Sequence, residues 1–290
     1  MNLNWKEEKE LLGKELTGLA YQCGCIETIF NAREPKNRRE GWILKNGTNS
    51  IYYINMRNAG NSAEFTAKLG YAMGRVLEEE VKEYDIVIGA DMAGVPLVSA
   101  TSTSMYLRKG VEIKWGYTRP LPGEKVRTVD EAIKALEALK QKRISLGDWG
   151  GHNLIEGYLF PNCRVVIWDD MVTDFTTKLI DKKIIEYEAQ RRGFDVICKD
   201  AVVGMDREQG GELAAKQNGM NLHSVIPMKT KGMSWLGNFI PPEEYKHLLA
   251  FVYQPDLYQD VGRDQKKDRN KGVSSSAMRD ALELVADSGA

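Results

Sequence analysis

Short apolar segments alternate with helical patterns along this chain, and this alternation constrains the fold more than any other feature. Strands that are separated by helices pair in parallel, so the sequence predicts an α/β fold, a mainly parallel sheet with helices on both faces. Ligands of such sheets bind beyond the carboxyl ends of the strands, so we expect functional residues in the loops after residues 90, 117, 170 and 205. The predicted strands are DIVIGA (85–90), VEIKWGY (111–117), CRVVIWDD (163–170), FDVICKDAVVGM (194–205) and LHSVIPM (222–228).

Length and charge narrow the classes of protein to consider. The 290 residues suit one large α/β domain with extensions or two small domains, and the net charge of -1 gives no global attraction to nucleic acid or to a membrane surface. No apolar run is long enough to span a membrane, and the charged N-terminus lacks the apolar centre of a signal peptide. We therefore expect a soluble, cytoplasmic protein that binds neither nucleic acid nor membranes.

The chain has four cysteines, Cys23, Cys25, Cys163 and Cys198. No second Cys or His pair gives them the spacing of a zinc site. Cysteines of cytoplasmic proteins are most often reduced and buried, where they pack as small apolar groups. We interpret all four as buried thiols.

Three parts of the chain differ in composition. A capping box of Thr128 and Glu131 predicts the start of a helix at 128–143 that interrupts the alternation of strands and helices. The last part is polar and poor in apolar residues, which is typical of a flexible segment. The predicted domains are a helical extension (1–40), the main domain with its inserted helix (41–255) and a flexible tail with a short helix (256–290).

The segment VVIWDDMVTDFTTK combines two carboxylates with three hydroxyls. Asp169 and Asp170 emerge at the carboxyl end of a buried strand, and Thr173, Thr176 and Thr177 lead into the next helix. Carboxylates hold sugar hydroxyls directly or through a divalent metal, while hydroxyls and amides at a helix N-terminus hold phosphate. The pattern therefore fits a sugar phosphate. The alternative interpretation is a helix cap with acidic residues favoured by the helix dipole.

This segment resembles the phosphoribosyl diphosphate (PRPP) binding motif of type I phosphoribosyltransferases. Further segments resemble orotate phosphoribosyltransferases, in the order found in that family, over about residues 41 to 255. The resemblance implies a type I phosphoribosyltransferase-like parallel sheet flanked by helices, with an N-terminal hood segment and a C-terminal extension. The matching segments are WILKNGTNSIYYINMRNAGN, IVIGADMAGVPLVSA, VVGMDREQGG, LHSVIPM and IPPEEYKHLLAFVY.

The resemblance assigns orotate contacts to Lys45, Tyr52, Tyr53 and Arg207. Arg207 offers a planar fork that matches a carboxylate at two points, Lys45 adds a charge, and a tyrosine stacks on a flat ring. The alternative for Arg207 is a solvated turn residue. The alternative for the tyrosines is that strand alternation puts one in the core and the other at the surface.

The resemblance assigns PRPP contacts to three loops. Asp169 and Asp170 hold the ribose and Mg²⁺ and are counted as catalytic, while the diphosphate loop contains Ala93 and Gly94. The turn that receives the 5′-phosphate contains Thr173, Asp174, Phe175, Thr176 and Thr177.

The phosphate turn departs from the family because Asp174 and Phe175 stand where a glycine is usual. A non-glycine residue at positive φ costs about 1–2 kcal/mol. A carboxylate ~4 Å from a phosphate charge costs about 4 kcal/mol at an intermediate dielectric, which is the larger effect. We therefore expect Asp174 to point away from the phosphate, the turn to differ in shape, or the site to bind PRPP weakly.

The family's mobile catalytic loop is also altered. Arg119 matches its first residue, but Pro120 replaces the lysine that follows. Beyond the inserted helix, Lys142 or Arg143 takes the place of the catalytic lysine, and His152 that of the histidine. The alternative is that Lys142 and Arg143 are charges at a helix C-terminus.

The resemblance implies an enzyme, a homodimeric orotate phosphoribosyltransferase of pyrimidine biosynthesis that uses PRPP and Mg²⁺. Two alternatives stay open. One is a non-catalytic or regulatory protein that binds a nucleotide, motivated by the altered phosphate turn. The other is transfer to a different nucleobase, against which Lys45 and Arg207 argue because both favour an anionic ring.

Overall fold

The computed structural model describes residues 3–44, 49–122, 125–141 and 153–254, together with Tyr258. Lys45, Arg143 and His152 lie outside these residues, and so does the predicted tail apart from Tyr258. Within the described ranges, no helix has both the length and the apolar surface that crossing a membrane requires.

The secondary structure alternates as the sequence predicts, with additional short elements. The strands are β1 (Ile26–Thr28), β2 (Trp42–Ile43), β3 (Asn49–Ser50), β4 (Tyr52–Ile54), β5 (Ile86–Gly89), β6 (Trp115–Thr118), β7 (Ile155–Glu156), β8 (Arg164–Val172), β9 (Ile197–Asp206) and β10 (Asn221–Pro227). The α-helices are α1 (Trp5–Gln22), α2 (Pro35–Glu40), α3 (Ala63–Val76), α4 (Gly94–Lys109), α5 (Val129–Lys140), α6 (Thr176–Arg191), α7 (Gly211–Gln217), α8 (Met233–Leu236) and α9 (Pro242–Tyr253). A 3-10 turn spans Met56–Asn61, and π-helical turns span Leu77–Val81 and Met228–Gly232.

The described residues form two compact units. The first takes in residues 1–13 and 63–228, and the second takes in residues 14–62 and 229–290. Helix α1 therefore begins in the first unit and continues into the second. A compact unit is not necessarily a domain that folds by itself, so the three predicted domains stay predictions.

The first unit is built on a six-stranded sheet in the order β10-β9-β8-β5-β6-β7. All neighbours pair in parallel except β7, which pairs antiparallel to β6. Gly89 of β5 pairs with Trp168 of β8, and Asp169 pairs with Val203 of β9. The predicted α/β fold is confirmed, and the carboxyl ends of β5, β8 and β9 meet at one edge of the sheet.

The inserted helix is confirmed as α5, and the capping box starts it. The Thr128 hydroxyl accepts a hydrogen bond from the Glu131 amide, while the Glu131 carboxylate accepts one from the Thr128 amide, both at 3.2 Å. Ala132, Leu136 and Leu139 are buried in the core and pack α5 against α6. The insertion is therefore a structural support for α6 rather than a separate appendage.

The strand predicted at 111–117 is shorter than expected, because only Trp115 to Tyr117 find partners on β5. The apolar residues after Ser62 repeat at spacings of three and four, which predicts a helix to about Tyr84, but α3 ends at Val76 and passes into the π-helical turn. Both elements therefore exist, and the predictions err in their bounds.

The second unit contains two small antiparallel ladders. Strand β2 pairs with β3 in one of them. Strand β4 pairs instead with β1, where Glu27 lies opposite Tyr53. The three residues of β1 are too few to show a strand period, and the sequence did not predict them. The unit also contains α2, α8 and α9.

Candidate active site

The two aspartates lie at the carboxyl end of β8, as predicted. Apolar residues up to Trp168 bury the strand between β5 and β9. Asp169 is then buried and Asp170 is half-buried, since consecutive side chains of a strand point to opposite faces. The Asp170 amide donates a hydrogen bond of 2.8 Å to Oδ1 of Asp169.

Lys178, which the sequence analysis missed, is buried against Asp169. Its Nζ forms an ion pair with Oδ2 of Asp169 and donates to the Met171 carbonyl and to the Thr177 hydroxyl, both at 3.1 Å. Burial alone would lower the pKa of Lys178, but Asp169 and Asp181 outweigh it and raise that pKa. A buried ion pair of this kind holds both side chains in place, so Asp169 is engaged inside the protein.

Two carboxyl groups near this pair titrate close to neutral pH. The pKa of Asp170 is raised to about 7, mainly by burial and to a smaller extent by repulsion from Asp169. Burial also raises the pKa of Asp181 to about 7, although Lys178 opposes the shift. Three carboxyl groups therefore lie close to a single cation, those of Asp169, Asp170 and Asp181 around Lys178.

Asp181 is linked to the loop after β5 through Thr118. The Thr118 hydroxyl donates to Oδ1 of Asp181 at 3.2 Å and accepts from the Asp91 amide at 3.0 Å. These bonds connect α6, the end of β6 and the predicted diphosphate loop. Lys178 and Asp181 lie three residues apart on α6, a spacing that puts both side chains on the same face of the helix. This spacing is the sequence signal from which their interaction could have been predicted.

The phosphate turn keeps a left-handed residue although it contains no glycine. Phe175 has φ 71° and ψ -5° at the position that precedes α6. Its ring is completely buried in the core cluster that also contains Val172 and Ile185. Burying such a ring contributes about 1.5–3 kcal/mol, which offsets the cost of about 1–2 kcal/mol for the backbone.

Asp174 does not point away from the start of α6. Its Oδ1 accepts a hydrogen bond of 3.0 Å from the Thr176 amide, one of the amides expected to hold a phosphate. Asp174 is exposed, and Thr173 and Thr176 are half-buried beside it. A carboxylate of the protein therefore engages one of the amides predicted to hold the phosphate, and the three expectations for this turn stay predictions.

The diphosphate loop lies beside the aspartates because α4 begins almost in contact with β8. A Cβ atom at Gly94 would lie 2.2 Å from the Trp168 carbonyl oxygen, so this close approach requires glycine. The same oxygen accepts a 2.7 Å hydrogen bond from the Ala90 amide. Ala93 precedes Gly94 and is half-buried. The first turn of α4 thus lies directly against the end of β8, while the Gly94 amide donates to the Ala90 carbonyl at 2.9 Å.

The two predicted arginines among the described residues, Arg119 and Arg207, differ in their surroundings. Arg119 follows β6, and its Nη1 forms a partly exposed ion pair of 2.9 Å with Glu156 of β7. Arg207 follows β9, and its amide donates to the Val172 carbonyl at 3.0 Å. Only 8% of Arg207 is exposed, so the alternative of a solvated turn residue is excluded.

Tyr52 and Tyr53 lie in the second unit and divide as strand alternation predicts. Tyr52 is buried and meets Phe251 edge-on, with ring centroids 5.8 Å apart. Tyr53 is exposed and stacks on Trp42 at the same centroid distance. Of the two tyrosine rings, only that of Tyr53 is exposed.

The first unit therefore gathers most of the predicted site residues at one edge of its sheet. Arg119 follows the neighbouring strand β6, and Tyr52 and Tyr53 belong to the second unit. The residues at the carboxyl ends of β5, β8 and β9 are Ala93, Gly94, Asp169, Asp170, Thr173, Asp174, Phe175, Thr176, Thr177 and Arg207.

The predicted magnesium ligands do not form a protein cage. Among the described residues, no group of three His, Cys, Asp or Glu side chains is arranged to hold a metal ion. Both oxygens of Asp169 already accept hydrogen bonds, from Lys178 and from the Asp170 amide. Mg²⁺ is commonly held by one or two carboxylates together with substrate phosphates, and Asp170 fits that arrangement whereas Asp169 does not.

Curated proteins with related sequences are orotate phosphoribosyltransferases and UMP synthases, although no family model matches the chain. The Methanopyrus kandleri orotate phosphoribosyltransferase is 29% identical over 185 residues, 64% of this chain and 79% of the relative. The Sorangium cellulosum enzyme is 27% identical over 197 residues, 67% and 85% respectively. The Caenorhabditis elegans UMP synthase is 26% identical over 187 residues, 64% of this chain. The chain spans about a third of the length of the UMP synthases it matches, 31% in that case.

Solved structures share the fold. The Leishmania donovani UMP synthase has a TM-score of 0.58 at 20% identity, and the match covers 83% of this chain and 42% of that one. The Francisella tularensis orotate phosphoribosyltransferase has a TM-score of 0.54 at 15% identity, with 82% and 93% covered. The chain is therefore a distant relative in sequence of orotate phosphoribosyltransferases and UMP synthases, and it shares the fold of their solved structures.

Proposed function

We propose that the protein transfers the phosphoribosyl group of PRPP to orotate and forms orotidine 5′-monophosphate and diphosphate. The observation that carries the proposal is the arrangement at one sheet edge, where Asp170, two helix N-termini and Arg207 follow adjacent strands. A sugar with phosphates at both ends needs a carboxylate between two anion-binding turns. The names of the sequence relatives point to the same substrates.

Each group has a role that its surroundings allow. Asp170 accepts hydrogen bonds from the ribose hydroxyls, since Asp169 is engaged by Lys178. The N-terminus of α4 at Gly94 receives the diphosphate, and that of α6 receives the 5′-phosphate. Arg207 receives the orotate carboxylate in a two-point contact.

The reaction exchanges one bond at C1 of the ribose. The C1–O bond to diphosphate breaks and its electron pair leaves with the diphosphate, while a ring nitrogen of orotate forms the new bond to C1 and releases its proton to solvent. Positive charge develops on the sugar, so positioning and fixed charges provide most of the catalysis. Mg²⁺, when bound, neutralises part of the diphosphate charge. Asp170 is the ligand we assign to it, and the carboxylate acts in its ionised form.

Turnover is tested by mixing the protein with orotate, PRPP and Mg²⁺ and following the loss of orotate absorbance. We expect turnover in the wild type, strongly reduced turnover in Asp170→Asn, and unchanged turnover in Asp195→Asn, an exposed aspartate before β9. A folded protein without any turnover contradicts the proposal. Sedimentation of the same sample tests the homodimer that we include in it.

A second candidate is a protein that binds a nucleotide without turnover. It is favoured by the two contacts that occupy the expected ligand sites, Asp174 on the Thr176 amide and Lys178 on Asp169. Calorimetry with orotidine monophosphate separates the candidates, because binding without turnover supports the second. A screen of other nucleobases covers transfer to a different ring, against which the cation of Arg207 argues.

A further inference from the structure

Two cysteine sulfurs lie next to each other in the second unit. Cys23 and Cys25 follow the end of α1 and flank Gly24, and their Sγ atoms are 3.4 Å apart. Gly24 has φ +78°, and a Cβ atom there would lie 2.5 Å from Nη2 of Arg33. The left-handed backbone therefore favours glycine between the two sulfurs.

The turn that brings the sulfurs together is held by side chains from other segments. Nη2 of Arg33 donates to the Cys23 carbonyl at 2.9 Å, and Nδ2 of Asn58 donates to the Gly24 carbonyl at 2.7 Å. The Cys25 carbonyl accepts from the Asn55 amide at 2.7 Å. The closeness of the sulfurs is thus built into the folded chain.

The two thiols are not equivalent. Cys25 is completely buried, whereas 9% of Cys23 is exposed. Hydrogen bonding with the Cys25 thiol is the largest influence on Cys23 and lowers its pKa to about 6, despite burial. By contrast, burial raises the pKa of Cys163, and it raises the pKa of Cys198 to about 12. The chain therefore contains one readily ionised thiol beside a second thiol, and two less acidic thiols that serve as internal controls.

We propose that Cys23 and Cys25 are a dithiol that hydrogen peroxide, or another small peroxide, oxidises to an intramolecular disulfide. A metal site is the other use of paired thiols, but no third ligand completes one among the described residues. Disulfide formation requires the sulfurs to approach to ~2.05 Å, a movement of about 1.4 Å that rotation of the partly exposed Cys23 side chain supplies.

The oxidation proceeds in two balanced steps. The Cys23 thiolate attacks one peroxide oxygen, the O–O bond breaks, and the departing hydroxide takes a proton to give water and a Cys23 sulfenic acid. Cys25 sulfur then attacks the Cys23 sulfur and expels the hydroxyl group, which leaves as water with the proton of Cys25. Two thiols and one peroxide thus give one disulfide and two waters.

The dithiol adjoins the strand pair that carries Tyr53. Strand β1 begins at Ile26, directly after Cys25, and its Glu27 lies opposite Tyr53 of β4. A disulfide at this turn therefore alters the end of the ladder that presents the exposed tyrosine. The oxidation itself is independent of the proposed transferase activity.

The experiment treats the reduced full-length protein with hydrogen peroxide and follows thiol content, intact mass and the masses of proteolytic fragments. We expect loss of two thiols per chain and a mass decrease of two hydrogens, located to Cys23 and Cys25 and reversed by dithiothreitol. Cys23 should react roughly tenfold or more faster than Cys163 and Cys198, because much more of it is thiolate at neutral pH. Equal reaction of all four cysteines, or bonds between chains only, overturns the proposal.

Two variants separate the steps. In Cys25→Ser the sulfenic acid has no partner, so dimedone should label Cys23, whereas Cys23→Ser should abolish fast oxidation. Labelling that is the same in both variants contradicts the assigned order. The fragment masses of the wild-type protein decide the proposal even if a variant fails to fold.

Discussion

The carboxylate of Asp174 accepts a hydrogen bond from the amide of Thr176, 3.0 Å away, at the first turn of α6. The protein's own anion therefore sits where the proposed function needs a substrate phosphate. Because Asp174 is exposed, solvent weakens the repulsion, and we expect Asp174→Ala to lower the KM for PRPP roughly tenfold rather than by the full Coulomb energy. Steady-state kinetics measure the change.

Asp174→Asn is the matched control, because it keeps the oxygen acceptor and removes the charge. If charge is the obstacle, both variants bind PRPP more tightly. If only the alanine variant improves, the hydrogen bond rather than the charge blocks the turn. A KM that neither variant changes rules out competition at this amide.

Phe175 combines an unfavourable backbone with a favourable side-chain position. We expect Phe175→Ala to lower the free energy of unfolding by about 3–5 kcal/mol, because the buried ring is lost while φ stays positive. Phe175→Gly loses the same ring but relieves the backbone, so it should be about 1 kcal/mol more stable than the alanine variant. Urea denaturation measures both. Equal stability of the two variants would mean that the turn changes shape when the ring is removed.

The buried pair of Lys178 and Asp169 should be strongly coupled. Lys178→Met leaves a buried carboxylate without its cation, which costs about 3–5 kcal/mol of unfolding free energy. Adding Asp169→Asn to this variant should restore much of the loss, since the uncompensated charge disappears. Lys183→Met breaks a largely exposed pair with Glu186 on the same helix and should change stability by less than about 1 kcal/mol. Additive effects of the Lys178 and Asp169 substitutions would contradict the pairing.

Stability should fall as the pH rises toward neutrality. The pKa of Asp181 is about 7 in the folded protein against an ordinary value of 3.8, so the folded state holds the proton more tightly than the unfolded state. The free energy of unfolding therefore decreases as the pH rises from the unfolded pKa toward the folded pKa of Asp181. For this group the decrease is on the order of 2 kcal/mol from pH 5 to pH 7. Asp181→Asn should remove this contribution to the pH dependence of the unfolding free energy, whereas Asp195→Asn should retain it. Denaturation curves at several pH values would refute the expectation if Asp181→Asn kept the wild-type slope.

Arg207 should affect one substrate more than the other. Arg207→Lys keeps the charge but loses the planar fork, so we expect it to raise the KM for orotate more than the KM for PRPP. Initial rates with each substrate varied in turn make the comparison. Equal increases in both constants would assign Arg207 a structural role, in keeping with its burial.

The fold could be predicted because its main strands are apolar segments flanked by helix starts. The capping box of Thr128 and Glu131 located α5 for the same local reason. Strands β1 and β7 escaped prediction because three and two residues carry no period. The bounds of β6 depend on where β5 offers partners, which a single segment does not reveal.

The site was predictable only in part. The position of Asp169 and Asp170 follows from the end of one strand, so sequence alone suffices for it. The engagement of Asp169 depends on whether Lys178 faces inward, and that is decided by how α6 rests on the sheet. The sequence predicts that a left-handed conformation at Phe175 is unfavourable. The burial of its ring, which offsets that energy, depends on core residues that follow later in the chain, such as Ile185.

The contact between Gly94 and the Trp168 carbonyl limits how the diphosphate loop can change. Position 94 is closed to every side chain, because even one carbon atom would push α4 away from β8. Ala93 and exposed Met92 lie just outside this contact. Changes in the loop's charge are thus confined to the residues before Gly94, and they leave the spacing between loop and aspartates untouched. The charge of this loop and its distance from the aspartates can therefore change independently of each other.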